Sequence, residues 1–108
     1  MKLYYSNKSI KFINDIITKH NSNITDLAIP WNEFSDIKLL NLNQLSNCTR
    51  ISLAYNEIQS LPQDIITYLP PSLIELDLSY NKIKNLSNIR FPLNIKKLNL
   101  CFNEIHTI

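Results

Sequence analysis

Glycine is missing from all 108 residues of this chain. Phosphate-cradling loops, dinucleotide-binding turns and nucleophile elbows all rely on glycine, where the backbone takes a positive φ or closely approaches a ligand. Its absence excludes those chemistries as first readings. Charge of one sign is also lacking. Eleven Lys and Arg stand against nine Asp and Glu, a net charge of +2. The two signs are interspersed, so there is no electrostatic footprint for nucleic acid or anionic lipid. No apolar run is long enough to span a bilayer. The N-terminal Met1-Lys2-Leu3-Tyr4-Tyr5-Ser6 soon meets Asn7, Lys8 and Lys11, without the apolar stretch and small-residue cleavage site of a secretory signal. Only two histidines occur, His20 and His106. Neither has a metal or triad spacing to a cysteine or an acid. No catalytic residue, metal ligand or cofactor is expected, nor a nucleic-acid or membrane partner.

A hydrophobic content of 44% over this length suits one small domain with a core. Ile, Asn and Lys are abundant and Lys far outnumbers Arg, which reads as an AT-rich coding genome of viral, protist or bacterial kind. Four N-x-S/T sequons, at Asn7, Asn23, Asn47 and Asn85, are read as accidents of an Asn-rich chain.

One spacing recurs four times. Its copies are Ile24–Leu27–Ile29–Asn32–Phe34–Ile37, Cys48–Ile51–Leu53–Asn56–Ile58–Leu61, Leu73–Leu76–Leu78–Asn81–Ile83–Leu86 and Ile95–Leu98–Leu100–Asn103–Ile105–Ile108. Each reads L-x-x-L-x-L-x-x-N-x-L-x-x-L, with aliphatics, one Phe and one Cys in the L slots. The asparagines are 24, 25 and 22 residues apart, a period typical of stacked repeats. Over residues 24–108 the chain resembles the leucine-rich repeat family, in the short form with a Leu-Pro step found in some bacterial and viral proteins. The resemblance implies an α/β leucine-rich repeat solenoid of about four coils with a parallel concave β-sheet. It implies no chemistry, because the family is defined by its scaffold. The ubiquitin-ligase domain that follows such arrays in some bacterial proteins has no counterpart here.

Within each copy the L-x-L core is a short strand, with apolar residues on one face and the x residues on the other. An asparagine at the strand end suits the bend, since its amide has donors and an acceptor for backbone groups there and in the next layer. Prolines in Leu69-Pro70-Pro71 and Phe91-Pro92 favour extended or polyproline returns. The segment from Gln63 to Leu69 adds one helical turn, and Leu42, Leu45 and Cys48 have a looser helical spacing. Residues 1–23 lie outside the repeat and read as an N-terminal cap. Leu3–Tyr5 forms a strand there, and residues 9–20 a helix with Ser9 as N-cap and Ile10, Ile13 and Ile17 on one face. The last coil, ending at Ile108, is expected to be uncapped and to leave apolar surface and an open strand edge. The readings it opens are a homodimer through that end, a fragment of a longer array, a truncated gene, and a monomer that tolerates the exposure.

In the repeat frame Cys48 takes a core slot and Cys101 the exposed strand face two copies later, so a bridge between them is disfavoured. Reduced thiols in a cytoplasmic protein follow. The exposed columns of the sheet are Asp26, Arg50, Glu75, Lys97, then Ala28, Ser52, Asp77, Asn99, then Pro30, Ala54, Ser79, Cys101. The first alternates in sign and neutralises itself. The other two are mostly small, so the concave face is shallow and accessible. An aromatic precedes every repeat asparagine: Trp31, Tyr55, Tyr80 and Phe102. These rings stack along one rim, either as edge packing that shields the bend or as binding anchors, and the two roles are compatible. The sequence therefore points to a non-catalytic protein-interaction module. Trp31, Tyr55, Tyr80 and Phe102 are its anchors, and Arg50, Glu75, Asp77 and Lys97 its orienting polar contacts. The partner is a protein of unknown identity, with a host protein the natural target if the source is a virus or pathogen. The alternative is a structural element, or a truncated array that self-associates.

Overall fold

A computed structural model describes residues 1–108. The elements run β1 (Lys2–Tyr4), α1 (Ile10–Lys19), β2 (Asp26–Ala28), β3 (Arg50–Ser52), β4 (Glu75–Asp77) and β5 (Lys97–Asn99). Short 3-10 turns at Ile37–Leu39, Leu42–Gln44 and Ile65–Tyr68 lie in the return segments. The five strands form one parallel sheet in sequence order, and the register is regular: Lys2, Asp26, Arg50, Glu75 and Lys97 lie side by side. Four repeat copies lead one to expect four strands. The fifth comes from Lys2–Tyr4, which pairs with β2 24 residues later, one full period away.

Alternation along the strands sends Leu27, Ile51 and Leu76 inward, each almost fully buried. They meet Ile29, Leu53, Leu78 and the buried residues of the returns in one cluster of 21 side chains. Helix α1 closes the early part of that core. Ser9 Oγ accepts the Phe12 N–H at 3.1 Å, and Lys19 sits in the last turn, where a cation favours the helix dipole. Ile13 and Ile17 are buried, with Ile10, Phe12 and Ile16 half-buried beside them. Asn14 fastens the helix to the next layer: its Nδ2 donates to the Leu39 carbonyl, and its Oδ1 accepts the Asn41 N–H. With ten residues, α1 is not long or apolar enough to cross a membrane, and neither is any other helix.

The prolines act differently from an extended return. The Leu73 N–H donates to the Pro70 carbonyl and the Ile95 N–H to the Pro92 carbonyl, both at 3.2 Å. The carbonyl of each Pro therefore closes a tight turn that aims the chain into the next strand, and in the first turn Pro71 holds the second position, which suits its fixed φ. Cys48 is buried and Cys101 exposed, and both are free. Burial pushes the Cys48 thiol up to about 11. At the far edge Leu98 is 38% exposed, where the equivalent Leu76 is 1% exposed.

The bends after the strands are held by asparagine side chains. Asn56 Oδ1 accepts the N–H groups of Asn32 and Phe34 in the preceding layer, and its Nδ2 donates to the carbonyls of Ile29, Leu53 and Ala54. Asn81 accepts the Ile58 N–H and donates to Leu53, Leu78 and Ser79. Asn103 accepts the Ile83 N–H and donates to Leu78, Leu100 and Cys101. Asn32 repeats the pattern toward Lys8, Tyr5 and Pro30. Each amide thus ties its own bend to the layer before it, and no buried side-chain nitrogen or oxygen lacks a partner. Replacing Asn81 with Ala strands these backbone groups in a buried bend and is expected to cost on the order of 1–3 kcal/mol. Chemical denaturation checks this, and an unchanged midpoint contradicts it.

Candidate functional site: the aromatic rim and the concave sheet

The outward face of the sheet encloses a shallow hollow of about 770 Å3, lined by residues of all five strands. The aligned column at its entrance alternates in sign and pairs as it does so. Arg50 Nη1 lies 3.8 Å from Asp26, Arg50 Nε 3.3 Å from Glu75, and Lys97 Nζ 3.7 Å from Glu75. The cations are exposed, the carboxylates half-buried and the contacts long, so each contributes about 0–1 kcal/mol. They fix the register of charges more than they stabilise the fold. Asp77 stands in the next column, and its Oδ1 accepts the Ser79 N–H at 2.9 Å. One of its oxygens is therefore committed to the chain's own turn, as is Asn99 Oδ1 to the Cys101 N–H. The small neighbours Ala28 and Ser52 keep this column low.

At the C-terminal ends of the strands the structure brings Trp31, Tyr55, Tyr80 and Phe102 into one continuous stack. Centroid separations are 4.5, 4.2 and 4.4 Å, with interplanar angles of 25°, 10° and 11°. The spacing is set by the distance between neighbouring strands. All four rings are accessible: Trp31 is 56%, Tyr55 36%, Tyr80 40% and Phe102 69% exposed. Beside them lies a second hollow of about 600 Å3 that includes Asn7, Glu33, Glu57 and Lys82 in its lining. The Tyr55 phenol is raised above its ordinary value, chiefly by hydrogen bonding with the neighbouring Tyr80 hydroxyl, then by desolvation, with the Asp77 charge adding to it. All of these favour the protonated phenol, so its part of the stack stays uncharged.

The backbone under these rings is unusual. Trp31, Tyr55, Tyr80 and Phe102 have φ of 57°, 57°, 56° and 58°. That is the left-handed region, which costs a residue with a Cβ about 1–2 kcal/mol. In a chain without glycine, four bulky side chains occupy a conformation that glycine or asparagine would hold more easily. Ring stacking, at about 0.5–1.5 kcal/mol per pair, offsets the strain.

The eight residues singled out from sequence fall into two groups. The four aromatics form the rim, while Arg50, Glu75, Asp77 and Lys97 lie on the concave face. Sequence reasoning passed over Asn7, which has φ of 57° and donates its N–H to the Trp31 carbonyl, one layer before the stack. It also passed over Glu33 and Glu57. The signals were present: Asn7 precedes Trp31 by the same 24 residues that separate Asn32 from Asn56, and an ionisable residue follows every ladder asparagine. His20 and His106 stay apart, and no cluster of three His, Cys, Asp or Glu side chains forms.

The strain and the stacking make a separable prediction. Tyr80→Ala loses two ring contacts and keeps the left-handed backbone. Tyr80→Gly loses the same contacts and relieves the strain, so it is expected to be more stable than Tyr80→Ala by about 1 kcal/mol, with wild type above both. Thermal unfolding of the three proteins checks the order. An alanine variant equal to or above the glycine variant contradicts it.

Comparison with known proteins places this geometry. The sequence model of the family described as Leucine rich repeat matches residues 46–105, more than half of the chain. One curated relative, the human leucine-rich repeat-containing G-protein coupled receptor 5, is 29% identical over 107 residues, which cover 98% of this chain and 12% of the receptor. The chain thus spans about an eighth of the length of that relative. No solved structure matches significantly. The repeat asparagines, the parallel strands they terminate and the family match agree, and the chain belongs to the leucine-rich repeat family.

Proposed function

We propose that this chain is a non-catalytic protein-interaction module that holds a protein partner against its aromatic rim and the adjoining concave face. In this reading residues 1–23 are the N-terminal cap, and residues 24–108 the coils of a short solenoid. Trp31, Tyr55, Tyr80 and Phe102 are the anchors, with Arg50, Glu75, Asp77 and Lys97 orienting the partner. Leucine-rich repeat domains generally mediate protein–protein interaction, which sets the class of activity. The observation that carries the reading further is the exposed stack. Aromatics are rigid, bury large area at little entropic cost and dominate interface energetics. Here four of them are held at fixed spacing in an accessible row. The two free cysteines favour a reducing compartment, and we place the protein in the cytoplasm on that ground.

A second reading, assembly through the β5 edge, has one specific observation in its favour. Leu98 is far more exposed than its equivalents in β2, β3 and β4, and an open edge with apolar surface invites pairing.

The test is capture of a partner from lysate of the source organism or its host, comparing wild type with a folded Tyr55→Ala/Tyr80→Ala protein. A specific partner held by wild type and lost by the variant is expected. A partner held equally by both removes the rim as the contact surface. If neither protein holds a partner and mass rises with concentration in sedimentation, the assembly reading takes its place.

A further inference from the structure

The aromatic column stops one layer short of the sheet. Five layers have a residue at the left-handed bend position, and in the first it is Asn7. Trp31 gives one face to Tyr55. Its other face looks toward the first layer, where the short Asn7 side chain leaves it uncovered. A cavity of about 380 Å3 lies there, lined by Asn7, Lys8, Ser9, Trp31, Asn32 and Glu33.

The polar groups around that cavity are not equally free. Asn32 is spent on the backbone: its Oδ1 accepts the Lys8 N–H, and its Nδ2 donates to the Tyr5 and Pro30 carbonyls. Lys8 holds its Nζ 5.1 Å from the centroid of the Phe12 ring. Glu33 is different. The ion pairs of the protein involve Lys11, Asp15, Asp26, Arg50, Glu75 and Lys97, so the Glu33 carboxylate has no internal cation. The next layer continues the pattern, with an equally unpaired Glu57 beside Tyr55. An electron-rich indole face, a carboxylate and an exposed amide therefore converge on one small space.

An arginine guanidinium matches all three. It is planar and stacks on aromatic faces, it is always charged, and its fork of N–H donors suits a carboxylate and an amide oxygen together. A partner's aromatic ring would use the indole face and leave Glu33 unpaired. A lysine ammonium would pair with Glu33 and could sit over the ring, but as a compact, strongly hydrated point charge it has neither the planar stacking area nor the fork of donors that reaches the carboxylate and the amide together.

We propose that the open face of Trp31, with Glu33 and Asn7, is a binding site for an arginine side chain of the protein partner. This rests on the rim being the contact surface and names the chemistry that it selects.

Trp31 is the sole tryptophan, so its emission reports on the site directly. An acetylated, amidated tetra-arginine peptide titrated into the full chain is expected to change that emission saturably. Tetra-citrulline, which keeps the plane and loses the charge, and tetra-lysine, which keeps the charge and loses the plane, should each bind roughly tenfold more weakly. Glu33→Gln should weaken the arginine peptide by roughly two- to fivefold, the range of an exposed ion pair. Asn7→Phe places a fifth ring at a bend position that four rings already occupy. It should abolish the response while thermal unfolding shows the fold intact. No saturable response to tetra-arginine, or an equal response in wild type and Asn7→Phe, overturns the proposal. So does a preference for a Ser-Tyr-Ser-Tyr peptide over tetra-arginine. That last outcome leaves the rim standing as a contact surface, which partner capture by the Tyr55→Ala/Tyr80→Ala protein judges separately.

Discussion

A chain that stacks short parallel strands must turn inward at the end of each one, and the amide groups of that turn face the core without a strand partner. Leaving them unpaired would cost several kcal/mol per layer. The side chains of Asn56, Asn81 and Asn103 remove the problem, each with one acceptor for the layer before and donors shared between the two layers. The same bonds fix how far apart the layers sit and how they are rotated. Register, the continuity of the core and the position of the rim all follow from this one interaction. Asn32 shows how strict it is: the first layer has Lys8 at the asparagine position, and Asn32 still reaches across to take the Lys8 N–H.

The rim is a consequence of that bend. The residue before each asparagine enters the left-handed region, and in four layers it is aromatic. Backbone strain of this kind persists only where the surroundings hold it, and it concentrates at functional positions. Here the asparagine bonds lock the bend from inside, and ring stacking supports it from outside. The result is a row of rings whose edges face solvent and whose spacing the partner does not have to impose. Pre-organisation of this sort favours binding because little further ordering is needed when a partner arrives.

The parts of this structure that were legible in the sequence are those governed by periodicity and by side-chain chemistry. The alternation around Leu27, Ile51, Leu76 and Leu98 located strands β2 to β5, the asparagine column implied its own hydrogen bonds, and the sign alternation from Asp26 to Lys97 implied ion pairs. Helix α1 was readable from Ser9 and the spacing of Ile10, Ile13 and Ile17. Strand β1 was readable as a strand but not as a layer, because Lys8 stands where the repeat has asparagine. The returns were less legible. Pro70 and Pro92 restrict φ in extended segments and in tight turns alike, so composition alone does not choose between them. The left-handed backbone at Trp31, Tyr55, Tyr80 and Phe102 runs against the preference of aromatic residues, and only the hydrogen bonds of the bend reveal it. Glu33 and Glu57 gained meaning only when the structure set them beside open ring surface and in no ion pair.

The central claim is that the asparagine side chains, and not the strands alone, hold the layers together. Amide hydrogen exchange tests it most directly at Ile58 and Ile83, whose N–H groups have the side chains of Asn81 and Asn103 as acceptors. The account predicts that both amides exchange as slowly as those of β3 and β4, and far more slowly than the exposed Gln59 and Ser60 that follow Ile58. Exchange of Ile58 and Ile83 at the rate of those neighbours would contradict it.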